Sequence, residues 1–182
     1  MSKRADQFER LPQDAYQTPA EAAAVLLWRL KPRTRFIEPC CGEGRLVGHL
    51  IGAGHLCVSA HDLPVDARSH QYDIDGVDRF ITNPPWRRDV MHDIIINLSD
   101  QLPTWLLIDA DWLATLQAAP YLCRLRDIAM IGRVRWIDGT DNDGKDNCCW
   151  CLFWRPKAKP VVRLTGKMAK AELQLPPFAR AA

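Results

Sequence analysis

Two short apolar runs, each cut off by loop-forming residues, constrain this chain more than any other feature. Phe36-Ile37 empties into Glu38-Pro39-Cys40-Cys41-Gly42-Glu43-Gly44, and Phe80-Ile81-Thr82 empties into Asn83-Pro84-Pro85-Trp86. An apolar run that ends abruptly in Gly and Pro is the pattern of a buried parallel strand at its carboxyl end. In an open α/β sheet the crevice beyond those ends is where ligands bind. Two chemically loaded loops of this type predict one shared site.

The segments around them alternate as an α/β fold requires. Tyr16-Gln17-Thr18-Pro19 precedes an Ala/Leu-rich stretch, 20–30, read as a helix with Thr18 as N-cap, Pro19 in its first turn and Pro32 as its stop. Residues 35–40 form the first predicted strand. The glycine loop then opens a helix over 45–51 that ends at Gly52-Ala53-Gly54. A second strand, 55–60, runs into His61-Asp62-Leu63-Pro64. Further on, 90–98 reads as a helix and 104–108 as a core strand. The runs 128–137 and 148–154, joined by an Asp-rich loop, predict a long hairpin. At 182 residues the chain suffices for one domain with a substantial core. Its predicted parts are an N-terminal arm (1–13), the domain (14–156) and a C-terminal tail (157–182).

Charge is unevenly placed. The net charge is +2, but from Arg155 onward seven Lys/Arg face only Glu172, which leaves the preceding body at about −4. A basic tail on a mildly acidic body points to a polyanionic partner. No apolar run reaches membrane-spanning length and Met1-Ser2-Lys3-Arg4 leads into polar sequence, so a cytoplasmic protein is expected. The seven cysteines are odd in number and sit mostly in strand-like runs, which favours reduced buried thiols over disulfides. Cys148, Cys149 and Cys151 alternate across a strand and lack a partner pair at finger spacing, so no metal site is expected.

The chemistry lies in the loops. Strand, glycine turn and helix in that order form a cofactor site, because Gly42 and Gly44 allow close backbone approach and the helix start offers N–H groups. The loop lacks the three-glycine dinucleotide fingerprint, which argues against a nicotinamide enzyme. Asp62, at the end of the second strand and twenty residues past Gly42, occupies the place of a ribose-binding acid. Glu38 puts a carboxylate at the strand tip, where it would repel a pyrophosphate and attract a cationic cofactor. In Asn83-Pro84-Pro85-Trp86 two prolines fix the backbone and remove two N–H donors. The Asn83 side-chain oxygen and the Pro84 carbonyl can then accept both hydrogens of an exocyclic amino group. That leaves its nitrogen more pyramidal and a better nucleophile. Trp86 offers a face for a base to stack on and a π cloud for the charge that develops on nitrogen.

Taken together, Tyr16-Gln17-Thr18-Pro19, Glu38-Pro39-Cys40-Cys41-Gly42-Glu43-Gly44, Asp62 and Asn83-Pro84-Pro85-Trp86 resemble the motif series of S-adenosylmethionine-dependent amino-methyltransferases. The closest likeness is to the DNA adenine-N6 type and its small phage or prophage members. The resemblance covers roughly residues 14 to 155. It implies a Rossmann-like class I methyltransferase: a mostly parallel seven-stranded sheet with helices on both faces and a C-terminal β-hairpin. It further implies that Tyr16 and Thr18 line the methionine end of the cofactor and that Glu38 faces the α-ammonium. Pro39, Cys40, Gly42 and Gly44 would lie under the cofactor, with Asp62 and Leu63 at its ribose side. An acid at the end of the third strand, Asp73 or Asp75 and here assigned to Asp75, would meet the cofactor adenine. Trp136 would stack on the flipped base, and Arg87 and Arg88 sit where a phosphate backbone would pass. The expected reaction is methyl transfer from S-adenosylmethionine to N6 of adenine in DNA. RNA, protein glutamine, or a non-catalytic cofactor- or nucleic-acid-binding subunit are the alternatives. There is no insertion for a separate target-recognition domain, so the enzyme reads a short sequence, methylates with little preference, or borrows specificity from a partner subunit or second copy.

Overall fold

The computed structural model describes residues 16–136 and 144–156. The predicted arm and tail, and the centre of the Asp-rich loop at 137–143, lie outside them. Six strands form one mixed sheet: β1 (Arg35–Glu38), β2 (Leu56–Ala60), β3 (Arg79–Thr82), β4 (Thr104–Asp109), β5 (Leu125–Arg133) and β6 (Asn147–Phe153). Their order is β2-β1-β3-β4-β6-β5. The first four are parallel, whereas β6 runs antiparallel to both of its neighbours. The last two strands are thus the predicted hairpin, inserted with its second strand against β4.

Side-chain alternation along these strands builds two cores. Phe36, Ile81, Trp105, Leu107 and Trp150 face one layer, formed by α1 (Ala20–Leu27) and α2 (Arg45–Gly52). Ile37, Phe80, Leu106, Ile108 and Phe153 face the other, against α3 (Arg88–Gln101) and the 3-10 turns at Ala110–Ala114 and Leu116–Arg124. The inner strands β1, β3, β4 and β6 are buried on both faces by the period of two, whereas the edge strands β2 and β5 are partly exposed. The alternation also separates the cysteines: Cys149 and Cys151 lie in one core and Cys148 in the other.

Two expectations need correction. Seven strands were predicted, and six are present among the described residues. The missing one would precede β3, but Pro64, Asp66, Asp73, Asp75 and Gly76 punctuate that connection and leave it without an apolar run. Amide side chains of α3 hold it instead. Asn97 Nδ2 donates to the carbonyls of Ala67 and His70, each at 3.0 Å, and Gln101 Oε1 accepts from the Tyr72 amide at 3.0 Å. The second correction concerns α1. Pro19, not Thr18, takes the N-cap position, with no side-chain cap, and the helix ends at Leu27. Thr18 is instead buried, 3% exposed.

Candidate active site

The site begins with register. Ile37 pairs with Phe80 across β1 and β3, so Glu38 and the Thr82-Asn83 peptide emerge side by side at the carboxyl edge. The two loops that the sequence predicted to face each other do so. The tip of β1 is also laced to that of β2. The His61 amide donates to the Glu38 carbonyl at 2.8 Å, and the Cys41 amide to the His61 carbonyl at 2.8 Å. Asp62 then clasps the glycine loop: its Oδ2 accepts from the Gly42 amide and its Oδ1 from the Leu63 amide, both at 2.8 Å. Leu63 stands 70% exposed beside it. Gly42 and Gly44 have φ of 50° and 80°, the left-handed region that glycine enters without strain. Gly44 is the N-cap of α2.

Glu38 is buried, with 1% of its surface exposed. Burial pushes its carboxyl up to about 8, an effect that the Thr82 hydroxyl and the Asn83 amide oppose and the charge of Asp62 augments. Those donors lie near it, yet neither Glu38 Oε2 nor Thr82 Oγ1 completes a hydrogen bond. Cys40, beside it, is pushed up to about 12, first by burial and then by Glu38. Thr82 carried no signal beyond its place before Asn83.

At the tip of β3, Asn83 is fixed by a partner the sequence did not disclose. Its Nδ2 donates to the backbone carbonyl of Tyr16 at 3.0 Å, and among the described residues no donor engages its Oδ1. Trp86 Nε1 donates to the Leu107 carbonyl of β4 at 3.0 Å, which pins the indole against the sheet. Trp136, just past β5, reaches the same place: its ring lies 5.5 Å from Trp86, nearly perpendicular at 81°, and 5.9 Å from Tyr16. Tyr16, Trp86 and Trp136 thus form one aromatic cluster, and Asn83 is bonded to the backbone of its first member. Gln17, part of the first motif but given no role from sequence, packs here too; a Cβ on Gly42 would lie 2.4 Å from its Nε2. The 16–18 segment therefore reaches both loops.

Asp75 lies away from the carboxyl edge, whereas Arg87 and Arg88 follow Trp86 on it. Asp75 belongs to the turn beside Arg35: the Arg35 Nε donates to the Gly76 carbonyl, and the Arg35 amide to Asp78 Oδ2 at 2.7 Å. That is the amino end of β1, roughly 10 Å along the strand from Glu38. By this point the connection has returned to the start of β3. Arg88 turns toward the end of β4 and pairs with Asp109 at 2.9 Å, while Arg87 pairs with Asp89 at the surface.

Comparison with solved structures follows from this geometry. The chain is similar to a "putative RNA methyltransferase" of Pyrococcus horikoshii, with a TM-score of 0.55 and 13% identity over 78% of this chain and 87% of that one. It is similar too to a "putative class I S-adenosylmethionine-dependent methyltransferase" of Listeria monocytogenes, with a TM-score of 0.50 and 10% identity over 88% and 67%. The fold is that of Rossmann-like methyltransferases. No protein-family model and no curated protein matches the sequence. In this methyltransferase fold the loops after β1 and β3 share one crevice, the carboxyl-edge position that open sheets offer to ligands. Among the described residues no helix is long and apolar enough to cross a membrane.

Proposed function

We propose that this protein transfers a methyl group from S-adenosylmethionine to an exocyclic amine, N6 of adenine in DNA being the acceptor that the motif series favours. The observation that carries the reading is the anchoring of Asn83: with Nδ2 committed to the Tyr16 carbonyl, Oδ1 is the acceptor presented to a target. The residues present fit the cofactor. A buried carboxyl with an unpartnered oxygen suits its ammonium group, and the glycine loop at the start of α2 suits close approach. Glu38 would hold the methionine end, Gly42 and Gly44 would lie under it, and Asp62 with Leu63 would meet the ribose side. When bound, S-adenosylmethionine supplies an electrophilic methyl on a sulfonium.

The chain's own part is to prepare the amine. Asn83 Oδ1 and the Pro84 carbonyl accept its two hydrogens, which reduces delocalisation of the lone pair into the ring. Pro85 keeps that carbonyl rigid. Trp86 and Trp136 offer π faces that favour positive charge on nitrogen. No strong general base is required, since the methylated nitrogen is acidic enough to yield its proton to water. Extruding a base costs a few kcal/mol in duplex and less in single strands.

RNA is the second reading, supported by similarity to the Pyrococcus protein described as an RNA methyltransferase. Nucleic acid is the proposed partner in either case, with a partner subunit or second copy as a source of specificity. Incubation with labelled S-adenosylmethionine and DNA, RNA or cell extract, followed by nucleoside analysis, identifies the acceptor. N6-methyladenine in DNA is expected; label only in RNA moves the reading to RNA, and label only in protein removes nucleic acid.

A further inference from the structure

Glu38 is buried among groups that cannot neutralise it. Its Oε2 has no hydrogen-bond partner, and no ion pair among the described residues includes it. The titratable groups that face it are Asp62 at the tip of β2, Cys57 within β2, and Cys40 and Cys41 in its own loop. All are acids or thiols. From β3 come two uncharged donors, the Thr82 hydroxyl and the Asn83 amide. Among the described residues no lysine, arginine or histidine contributes to its environment. A carboxylate without a counter-charge in such a place carries the full cost of desolvation, whereas a carboxylic acid largely escapes it. A cation arriving at Oε2 reverses that balance.

We propose that Glu38 is an uncharged carboxylic acid while the site is empty and loses its proton as the α-ammonium group of the cofactor enters, so that binding and ionisation are one event. The inference rests on the reading that S-adenosylmethionine occupies this site. The O–H bond of Glu38 breaks, its proton passes to water or buffer, and the remaining carboxylate pairs with the ammonium. No bond of the cofactor changes and no electron is transferred. Both the sulfonium donor and its demethylated product carry the ammonium, so both expel the proton. An analogue without that group does not.

The position of the carboxyl, near 8, sets the pH window. Below it the empty site holds a proton that the complex lacks, so affinity rises with pH. The rise is about tenfold per unit between pH 6 and 7 and levels off near 8, where the empty site has itself ionised. Calorimetry on the full chain with S-adenosylhomocysteine at pH 6.5, in two buffers of different ionisation enthalpy, reads the released proton directly. Close to one proton per ligand is expected, with Kd about tenfold lower at pH 7 than at pH 6. In Glu38→Gln the release disappears and Kd is flat across the window. Binding without buffer-dependent heat would overturn the inference and leave the cofactor reading intact. Release with S-adenosylmethionine but not with its product would overturn it too, since the charge answered would then be the sulfonium. Failure of both ligands to bind at any pH would bring down the cofactor reading itself. Should Glu38→Gln fail to fold, the buffer comparison on the unaltered protein decides alone.

Discussion

The tips of β1 and β3 lie side by side but stand in opposite states. After β3 the side chains that would meet the target are already anchored: Asn83 Nδ2 is bonded to the Tyr16 carbonyl and Trp86 Nε1 to the Leu107 carbonyl. At β1 a buried carboxyl is left with an oxygen that bonds nothing. The difference teaches how the two halves of the site are expected to work. The β3 side is preorganised, so that a target amine meets acceptors already in place. The β1 side is incomplete without its ligand, and the stability forgone there is recovered on binding.

The contrast can be broken from either side. Asn83→Ala removes the oriented acceptor and is expected to lower methyl transfer by roughly a hundredfold or more. Cofactor affinity should stay within about twofold, as calorimetry would read. Equal loss of binding and transfer would show that the two tips do not divide the work as described.

Glu38→Gln probes the other tip through stability. With its carboxyl raised from 4.5 to about 8, the native protein holds a proton between those values that the unfolded chain releases. The contribution of Glu38 to stability is therefore lost as pH rises through that window and is constant above it. The full swing is roughly 5 kcal/mol at most. Urea unfolding of the ligand-free protein at pH 5 and pH 8 should show this fall, and the Gln variant should flatten it. Rising stability attributable to Glu38 over the same range would mean that the acid is already charged.

Smaller effects sharpen the picture. Trp86→Phe keeps an aromatic ring but drops the bond to Leu107, for a loss of about 1 kcal/mol in thermal or urea unfolding. Its transfer rate should fall severalfold, because the ring is no longer pinned. Gly42→Ala carries a similar cost, about 1 kcal/mol, from its φ of 50°. The contact its Cβ makes with Gln17 Nε2 is relieved cheaply, since that amide is the mobile end of a side chain. Cofactor affinity should drop about fivefold, and adding Gln17→Ala should restore only the steric part.

Much of the fold was legible in the chain because burial on both faces leaves a plain mark. The runs at Phe36, Phe80 and Trp105-Leu106-Leu107-Ile108 are apolar without alternation, as strands between two helix layers must be, and each became a parallel strand. The hairpin strands were legible for the same reason. The strand expected before β3 was not there to be read: that connection is held by side-chain amides of α3, and hydrogen bonds between residues some thirty positions apart leave no local pattern. The place of Asp75 beside the start of β1 was not legible either, because acids in a turn look alike whichever end of the sheet the turn reaches. The pairing of Arg88 was hidden in a related way, since nothing local in Arg88 announces a partner in Asp109.

By itself the sequence determined which chemical groups stand at the strand ends: an acid and two glycines after β1, and an amide, two prolines and a tryptophan after β3. Those follow from residue type and from the short-range rule that apolar runs end where glycine and proline begin. Only the tertiary structure decided how the groups are held. The Tyr16 carbonyl turns the Asn83 amide, Trp136 arrives beside Trp86 from fifty positions on, and Glu38 is closed off from water and, among the described residues, from any counter-charge. Orientation and protonation depend on neighbours brought together through space, and no window of sequence contains them.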